Sequence, residues 1–532
     1  PVGVLARDST LPLPRRPMLR KALVLVLLLS PQPLLGPSGE SRQGSGSMPS
    51  PETQVFLETF RYIRNYHLGE FTDSTLWEMA IEGLIAELDD PYAVVFTPEE
   101  VDAFREGTTG NYAGIGVQIT GLNDEITITA VFRGTPAERA GIIVGDRIVG
   151  VGDKSVEGWS TGAASDEIRG EVGTTVKVII RRDGITEPIP HDIQRDSVHV
   201  GAVTAEVLDG NLGYVLMDRV ARNSAAEMDS ALVELSGTAG LIIDVRRNPG
   251  GYLDEALALA DLFLEEGDVL LTTKGRNPGR WGSQAEEVAR GRVAARVQDL
   301  PVIVLVDEYS ASAAEILAGA LQDHDRALVL GDRTFGKGLV QTILPLPYGR
   351  QVRLTTAEWF TPLGRSLHRP RDRENRLLPE TTDSLPTFAS SGGRTLQGGG
   401  GVFPDLTIPD DTLTLSEREF LNAAARAEIP LAIRVQEFAF DQSQLTRRGE
   451  APEAISEEAF EGFVASLVEE GLEPGSLDGG LESGGVRRAP GRGGLAPVGS
   501  AHWPSPELMP AATSLPTSFA ASASAPPSRA SR

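Results

Sequence analysis

The stretch Pro301-Val-Ile-Val-Leu-Val-Asp-Glu-Tyr-Ser-Ala-Ser-Ala-Ala-Glu-Ile-Leu-Ala-Gly-Ala-Leu321, followed by Gly331-Asp-Arg-Thr-Phe-Gly-Lys-Gly-Leu-Val-Gln341, decides the reading of this chain. Val302 to Val306 is an unbroken run of β-branched and leucine residues, the pattern of a strand covered on both faces. Asp307 to Ser310 are polar turn formers. From Ser312 the apolar residues fall at Ala313, Ile316, Leu317, Ala320 and Leu321, which is helical spacing. The segment predicts a strand, a tight turn and a helix, with Ser312 at the helix N-terminus.

That position has chemical meaning. The unpaired N–H groups of a first helical turn favour negative charge, so they suit an alkoxide or a tetrahedral oxyanion. A serine nucleophile also needs a base. Lys337 is flanked by Gly336 and Gly338, which let backbone or substrate approach closely, and a lysine acts as general base when burial brings it toward neutrality. The residues alone leave a plainer reading open, in which Ser310 or Ser312 only caps the helix and Lys337 is a solvated loop residue. His324, on or near the end of the same helix, leaves a conventional Ser–His hydrolase as a further alternative.

Ser310-Ala-Ser-Ala-Ala-Glu-Ile316 and Thr334-Phe-Gly-Lys-Gly-Leu-Val-Gln341 together resemble the C-terminal processing peptidases, or tail-specific proteases. The resemblance implies Ser312 as nucleophile, Lys337 as general base and Gln341 as the group that orients the lysine. Ala314 stands where that family often has serine, a departure that leaves the chemistry untouched. Asp244-Val-Arg-Arg-Asn-Pro-Gly-Gly251 resembles the family's glycine turn, which implies backbone N–H donors for the oxyanion from Gly251 and Ala313, with Gly250 an open alternative to Gly251. The likeness extends over roughly residues 55–410 and implies an α/β, crotonase-like protease core that uses no histidine, metal or cofactor. His368 and His324 therefore read as solvated or satisfied side chains. Asp244, Arg246 and Glu315 read as structural supports forming ion pairs around the glycine turn.

Upstream, residues 111–184 have their own logic. Gly114-Ile115-Gly116-Val117 opens a strand, Glu125 to Val131 makes a second, and Thr135-Pro-Ala-Glu-Arg-Ala-Gly141 is a short helix with a Thr cap. A turn and strand over 144–151 and a last strand over 175–181 follow. The order resembles a circularly permuted PDZ domain, a module that adds a C-terminal peptide to a sheet edge and holds its carboxylate on backbone N–H groups. The resemblance implies that Gly114, Ile115, Gly116 and Val117 form the peptide-binding loop.

The remainder sets the boundaries. With 532 residues the chain is long enough for several domains, and its net charge of −25 argues against a nucleic-acid partner. The absence of cysteine excludes disulfides, thiolate metal sites and lipid attachment through a thiol. Met18, Arg20, Lys21 and the apolar run Ala22 to Leu29 have the pattern of a secretory signal peptide, predicting export to a periplasm or cell envelope, or anchoring if the segment is not cleaved. The layout expected is an extension and signal segment over 1–42, a linker over 43–52, a helical region over 53–110, a PDZ domain over 111–195, a protease core over 196–410, a helical region over 411–472 and a disordered tail over 473–532. Helices are expected at 55–63, at 77–88 with an Asp73 or Ser74 cap, at 413–435 and at 452–472. Residues 274–298 are expected to form a loop and helix near the cleft, and 371–400 an insertion or mobile loop.

These readings converge on an α/β multidomain serine endopeptidase acting on protein or peptide substrates with free C-termini, and self-association or an adaptor protein is a further expectation. The competing reading is a catalytically silent PDZ scaffold, which would keep Gly114 to Val117 but not need Ser312, Lys337 and Gln341 together.

Overall fold

The computed structural model describes residues 50–276, 284–379, 385–408, 415–447 and 455–473. The signal-like segment at Met18 to Ser41, part of the 274–298 region and the tail beyond Glu473 lie outside the described residues. The chain divides between Leu76 and Trp77 into two compact units. In the first, Ser50 caps the helix Pro51–Tyr66 by accepting the Thr53 N–H, and Pro51 starts the helix without sacrificing a hydrogen bond. No residue of this helix is buried, so the expected apolar face with Val55, Phe56 and Ile63 stands exposed. The next helix, Asp73–Ala86, is entered through Thr72, whose hydroxyl accepts the Thr75 N–H at 3.1 Å. That corrects the expected Asp73 or Ser74 cap.

The second unit is built on a six-stranded sheet in the order Val203–Leu208, Leu212–Met217, Gly240–Asp244, Val302–Val306, Leu328–Gly331 and Leu406–Thr407. The first pair is antiparallel and the remaining pairs are parallel. Val302, Val304 and Val306 are buried while Ile303 and Leu305 are half-buried, so the strand expected to be covered on both faces is fully covered on one. The helices Ser224–Glu234, Leu253–Asp261 and Ala313–Asp323 contribute to the same core, and every residue of the last is buried. Parallel strands place their connecting loops at one edge, and ligands bind outside the carboxyl ends of such strands. The loops after Asp244 and Val306 both leave from carboxyl ends.

A second, antiparallel sheet runs Val94–Phe96, Gln351–Phe360, Val269–Arg276 and Gln284–Arg290, with Leu339–Pro345 also paired to Gln351–Phe360. Within the 274–298 region, residues 274–276 and 284–290 are strand and 291–298 are irregular, so the described residues there form no helix. The reason is lateral: Val269–Arg276 is hydrogen-bonded on both sides, facing Trp359 through Thr273 and Val288 through Thr272. In the 371–400 region, Thr387–Ala389 and Thr395–Gln397 form a small hairpin, and Arg394 bridges Asp325 at 2.5 Å and Asp405 at 2.9 Å.

A separate five-strand path runs Val117–Leu122, Glu125–Val131, Arg147–Val151, Thr175–Arg181 and Ile189–Gln194 around a core including Ile128, Ile148, Val178 and Ile180. Val117–Leu122 is the edge of that sheet. The short helix Pro136–Arg139 begins after Thr135, but the Thr135 hydroxyl donates to the Phe132 carbonyl at 2.7 Å instead of capping. Beyond the core, the helix expected over 413–435 is broken. Leu415–Arg426 and Leu431–Arg447 are separate, because Pro430 has no N–H to continue the ladder and Glu428 turns at φ +57°. With Glu457–Glu469 they enclose Phe420, Ala424, Phe463 and Leu467. Glu437 of the middle helix accepts the Asn123 N–H at 2.8 Å, so these helices rest on the small β-domain.

Candidate active site

Ser312 ends the turn after Val302–Val306 and begins the helix Ala313–Asp323 at φ 52° and ψ −112°, a backbone conformation that costs a non-glycine residue energy. The turn before it is pinned. Ser310 donates to the Val245 carbonyl at 2.8 Å and accepts the Asp307 N–H at 2.9 Å, tying the two carboxyl-end loops together. Ser310 is thus a brace between loops and not a helix cap.

Three residues into the helix, Glu315 is completely buried. One of its carboxylate oxygens accepts the N–H of Ser312 at 2.7 Å and the N–H of Lys337 at 2.8 Å. The other accepts the Thr334 hydroxyl at 2.5 Å and the Gly336 N–H at 2.7 Å. Burial pushes this carboxyl above its ordinary value, against the pull of the four donors. The ion pair expected of Glu315 is replaced by neutral donors, and their effect is to join the backbones of Ser312 and Lys337 at one side chain. The serine–glutamate spacing is that of a capping box, the one signal in the sequence that could have found it.

Lys337 is half-buried, with its carbonyl accepting the indole N–H of Trp359 at 3.1 Å and its Nζ 4.6 Å from the centroid of the Tyr92 ring. It is not a solvated loop residue. The flanking glycines answer to packing: a Cβ on Gly336 would lie 2.4 Å from the Arg369 side chain, and one on Gly338 would lie 2.7 Å from the His368 backbone nitrogen.

The glycine turn closes on the nucleophile from the neighbouring loop. Asn248, wholly buried, donates to the Met217 carbonyl and accepts the Gly250 N–H, both at 2.8 Å. Gly250 turns at φ +92°, and a Cβ there would sit 2.9 Å from Ser312 Cβ. Gly251 leaves no space at all, since its Cβ would fall 1.9 Å from the Val220 carbonyl oxygen. Among the described residues, the Gly250 N–H is occupied by Asn248, while the N–H groups of Gly251 and Ala313 donate to no acceptor. Asp244 pairs with Arg246 at 2.6 Å and accepts the Tyr214 hydroxyl at 2.7 Å. Burial, then the Asp244 charge, pushes that phenol well up.

Gln341 lies at a register shift in its strand and donates to Thr355 Oγ1 at 3.4 Å. Thr355 in turn donates its N–H to Asp90 and lines, with Tyr92, Leu339 and His368, a cavity of about 260 Å³. His324 caps the far end of the nucleophile helix, twelve residues from Ser312 and so about 18 Å along its axis. Its Nε2 faces the Val269 carbonyl at 2.8 Å. A Ser312–His324 pair is thereby excluded. Burial holds the half-buried His368 below its ordinary value. Among the described residues no group of three or more His, Asp or Glu side chains is arranged to hold a metal ion.

In the β-domain, Gly114 does not open the edge strand as expected: it closes the strand Asn111–Gly114, which pairs with Asp196–His199, and Ile115 and Gly116 link it to the edge strand that begins at Val117. Ile115 is buried, its carbonyl accepting the Ala137 N–H at 2.8 Å, and Gly116 turns at φ +87°. Burial pushes the Tyr112 phenol, on the strand before this turn, up to about 12.

Comparison with known proteins places both parts. Residues 211–372 match the model of peptidase family S41, and residues 127–182 match that of the PDZ domain. A carboxy-terminal-processing protease of Bartonella bacilliformis is 34% identical over 320 residues, covering 59% of this chain and 71% of that protein. The carboxy-terminal processing protease CtpA of Bacillus subtilis is 33% identical over 358 residues, covering 67% and 74%. A solved photosystem II D1 C-terminal processing protease is 28% identical, covers 69% of this chain and 95% of that one, and superposes with a TM-score of 0.35. The chain belongs to peptidase family S41, alongside the carboxy-terminal processing proteases, and is a serine-type peptidase that carries a PDZ domain.

Proposed function

We propose that this peptidase is an exported endopeptidase whose substrates are proteins selected by their free C-termini, with Ser312 as nucleophile and Lys337 as general base. The single observation that carries the assignment is the Glu315 carboxylate, which holds the backbone N–H groups of Ser312 and Lys337 on one oxygen. In this scheme Ser312 Oγ bonds to the scissile carbonyl carbon while its proton passes to Lys337 Nζ. Lys337 returns that proton to the departing amine, and, neutral again, takes a proton from the water that attacks the acyl-enzyme and passes it to Ser312 Oγ as the acid leaves. The N–H groups of Gly251 and Ala313 bind the oxyanion, each such donor being worth about 3–4 kcal/mol when lost. Gln341 supports the lysine side of the site through Thr355.

Tail selection belongs to the PDZ domain. An extended peptide adds to the edge strand Val117–Leu122, and its carboxylate meets the N–H groups of the Gly114 to Val117 loop. The relatives' names describe carboxy-terminal processing, which supports the same assignment. Export rests on the Met18 to Ser41 segment of the sequence. The silent-scaffold reading is disfavoured, because the peptidase match spans the nucleophile and the base.

The test is degradation of an unstructured protein with an apolar C-terminus, compared with the same protein bearing an amidated C-terminus. Wild type should degrade the free-tailed form faster, and Ser312→Ala and Lys337→Ala should degrade neither. Equal rates on the two tails would remove the carboxylate-recognition role, and cleavage by either variant would remove the dyad.

A further inference from the structure

Tyr92 follows the turn Asp89-Asp90-Pro91 and is locked from three sides. Its N–H donates to Asp90 Oδ1 at 3.0 Å, its carbonyl accepts Arg353 Nε at 3.0 Å, and Asp90 also accepts the Thr355 N–H at 3.2 Å. Both Arg353 and Thr355 belong to the strand Gln351–Phe360, which also pairs with the strand that starts just after Lys337. Tyr92 and Lys337 are therefore both anchored to that strand, Tyr92 through the Asp90 and Arg353 side chains and Lys337 through the strand that follows it. The phenol is buried, its hydroxyl has no hydrogen-bond partner among the described residues, and its ring face lies 4.6 Å from Lys337 Nζ. A buried aromatic kept against a cation while its own hydroxyl goes unused is serving through its ring.

We propose that Tyr92 is the positioning residue of the general base: its ring face holds the Lys337 ammonium that forms when the lysine takes the Ser312 proton. The inference rests on the assignment of Lys337 as base. The ring's quadrupole attracts the cation and not the neutral amine, so its effect is greatest as the proton arrives, in the transition state for acylation. The other charged and titratable groups facing the ring are Asp89 and Asp90 on its own turn, Glu315 on the nucleophile helix, and His368 and Arg371 on the segment after Phe360. These groups remain in place when only Tyr92 is changed, which makes the substitution selective.

The experiment is the pH profile of kcat/KM for peptide cleavage by wild type, Tyr92→Phe, Tyr92→Leu and Lys337→Ala, with thermal melting as the folding control. Tyr92→Phe keeps the ring face and removes only an unpartnered hydroxyl, so its profile should overlay wild type. Tyr92→Leu should lower the plateau about ten-fold and move the acid limb to lower pH, since the ammonium loses its support and the lysine deprotonates more easily. A Tyr92→Leu limb unmoved from wild type overturns the proposal, as does a Tyr92→Phe profile resembling that of Tyr92→Leu. Activity in Lys337→Ala overturns the assignment of the base itself, an outcome distinct from failure of Tyr92 alone.

Discussion

The two ends of the helix Ala313–Asp323 each bury an acidic side chain, and they treat it in opposite ways. At the N-terminus, Glu315 is held by three backbone N–H groups and one hydroxyl. At the C-terminus, Asp323 is paired with Arg365 at 2.6 Å, both side chains wholly inaccessible, and Arg365 also donates to Gln322 and to the Gln397 carbonyl. The helix dipole explains the difference. Negative charge is favoured at the first turn, so Glu315 is sustained by neutral donors, whereas Asp323 sits against the negative end and requires a cation. One end thus holds its carboxyl group on neutral donors beside the nucleophile, and the other pairs its acid with a cation for packing.

The sharpest way to break this comparison is Arg365→Met, which leaves Asp323 buried without its cation. The expected cost is about 3–5 kcal/mol of stability, read by denaturant unfolding, with the pH profile of the folded remainder unchanged. Glu315→Gln probes the other end. The amide presents an NH2 group to at least one existing donor, so backbone positions at Ser312 and Lys337 should shift, with kcat/KM falling about a hundred-fold and stability by about 1–3 kcal/mol. If Glu315→Gln lowers stability but not activity, the two ends differ only in partners and not in purpose.

A smaller effect belongs to His368, packed against Gly338 beside the lysine. Burial favours its neutral ring below the ordinary value of 6.5. As pH falls through 6.5 the unfolded chain binds a proton that the folded chain refuses, so stability should drop on the acid side. His368→Gln should show a shallower drop in melting temperature over the same range. His324→Ala should leave turnover unaltered, because that ring faces the Val269 carbonyl at the far helix end.

Much of this arrangement was legible in the sequence where it depends on local periodicity. The run Val302 to Val306 and the helical spacing after Ser312 each report their own environment, and the structure forms both elements there. What stayed hidden depends on partners distant in the chain. Glu315 draws its donors from Thr334, Gly336 and Lys337, about twenty residues on, and Tyr92 meets Lys337 across more than two hundred. Residues 284–290 carry no apolar pattern of their own, and their strand identity comes from pairing with Val269–Arg276. The break between Leu415–Arg426 and Leu431–Arg447 is the opposite case, a local signal carried by Pro430 itself.

The most direct test of the central claim is covalent labelling with a fluorophosphonate, followed by peptide mapping. The account predicts a single phosphonylated residue, Ser312, with labelling abolished in Ser312→Ala and strongly slowed in a folded Lys337→Ala. Modification at a different serine, or undiminished labelling without Lys337, would contradict it.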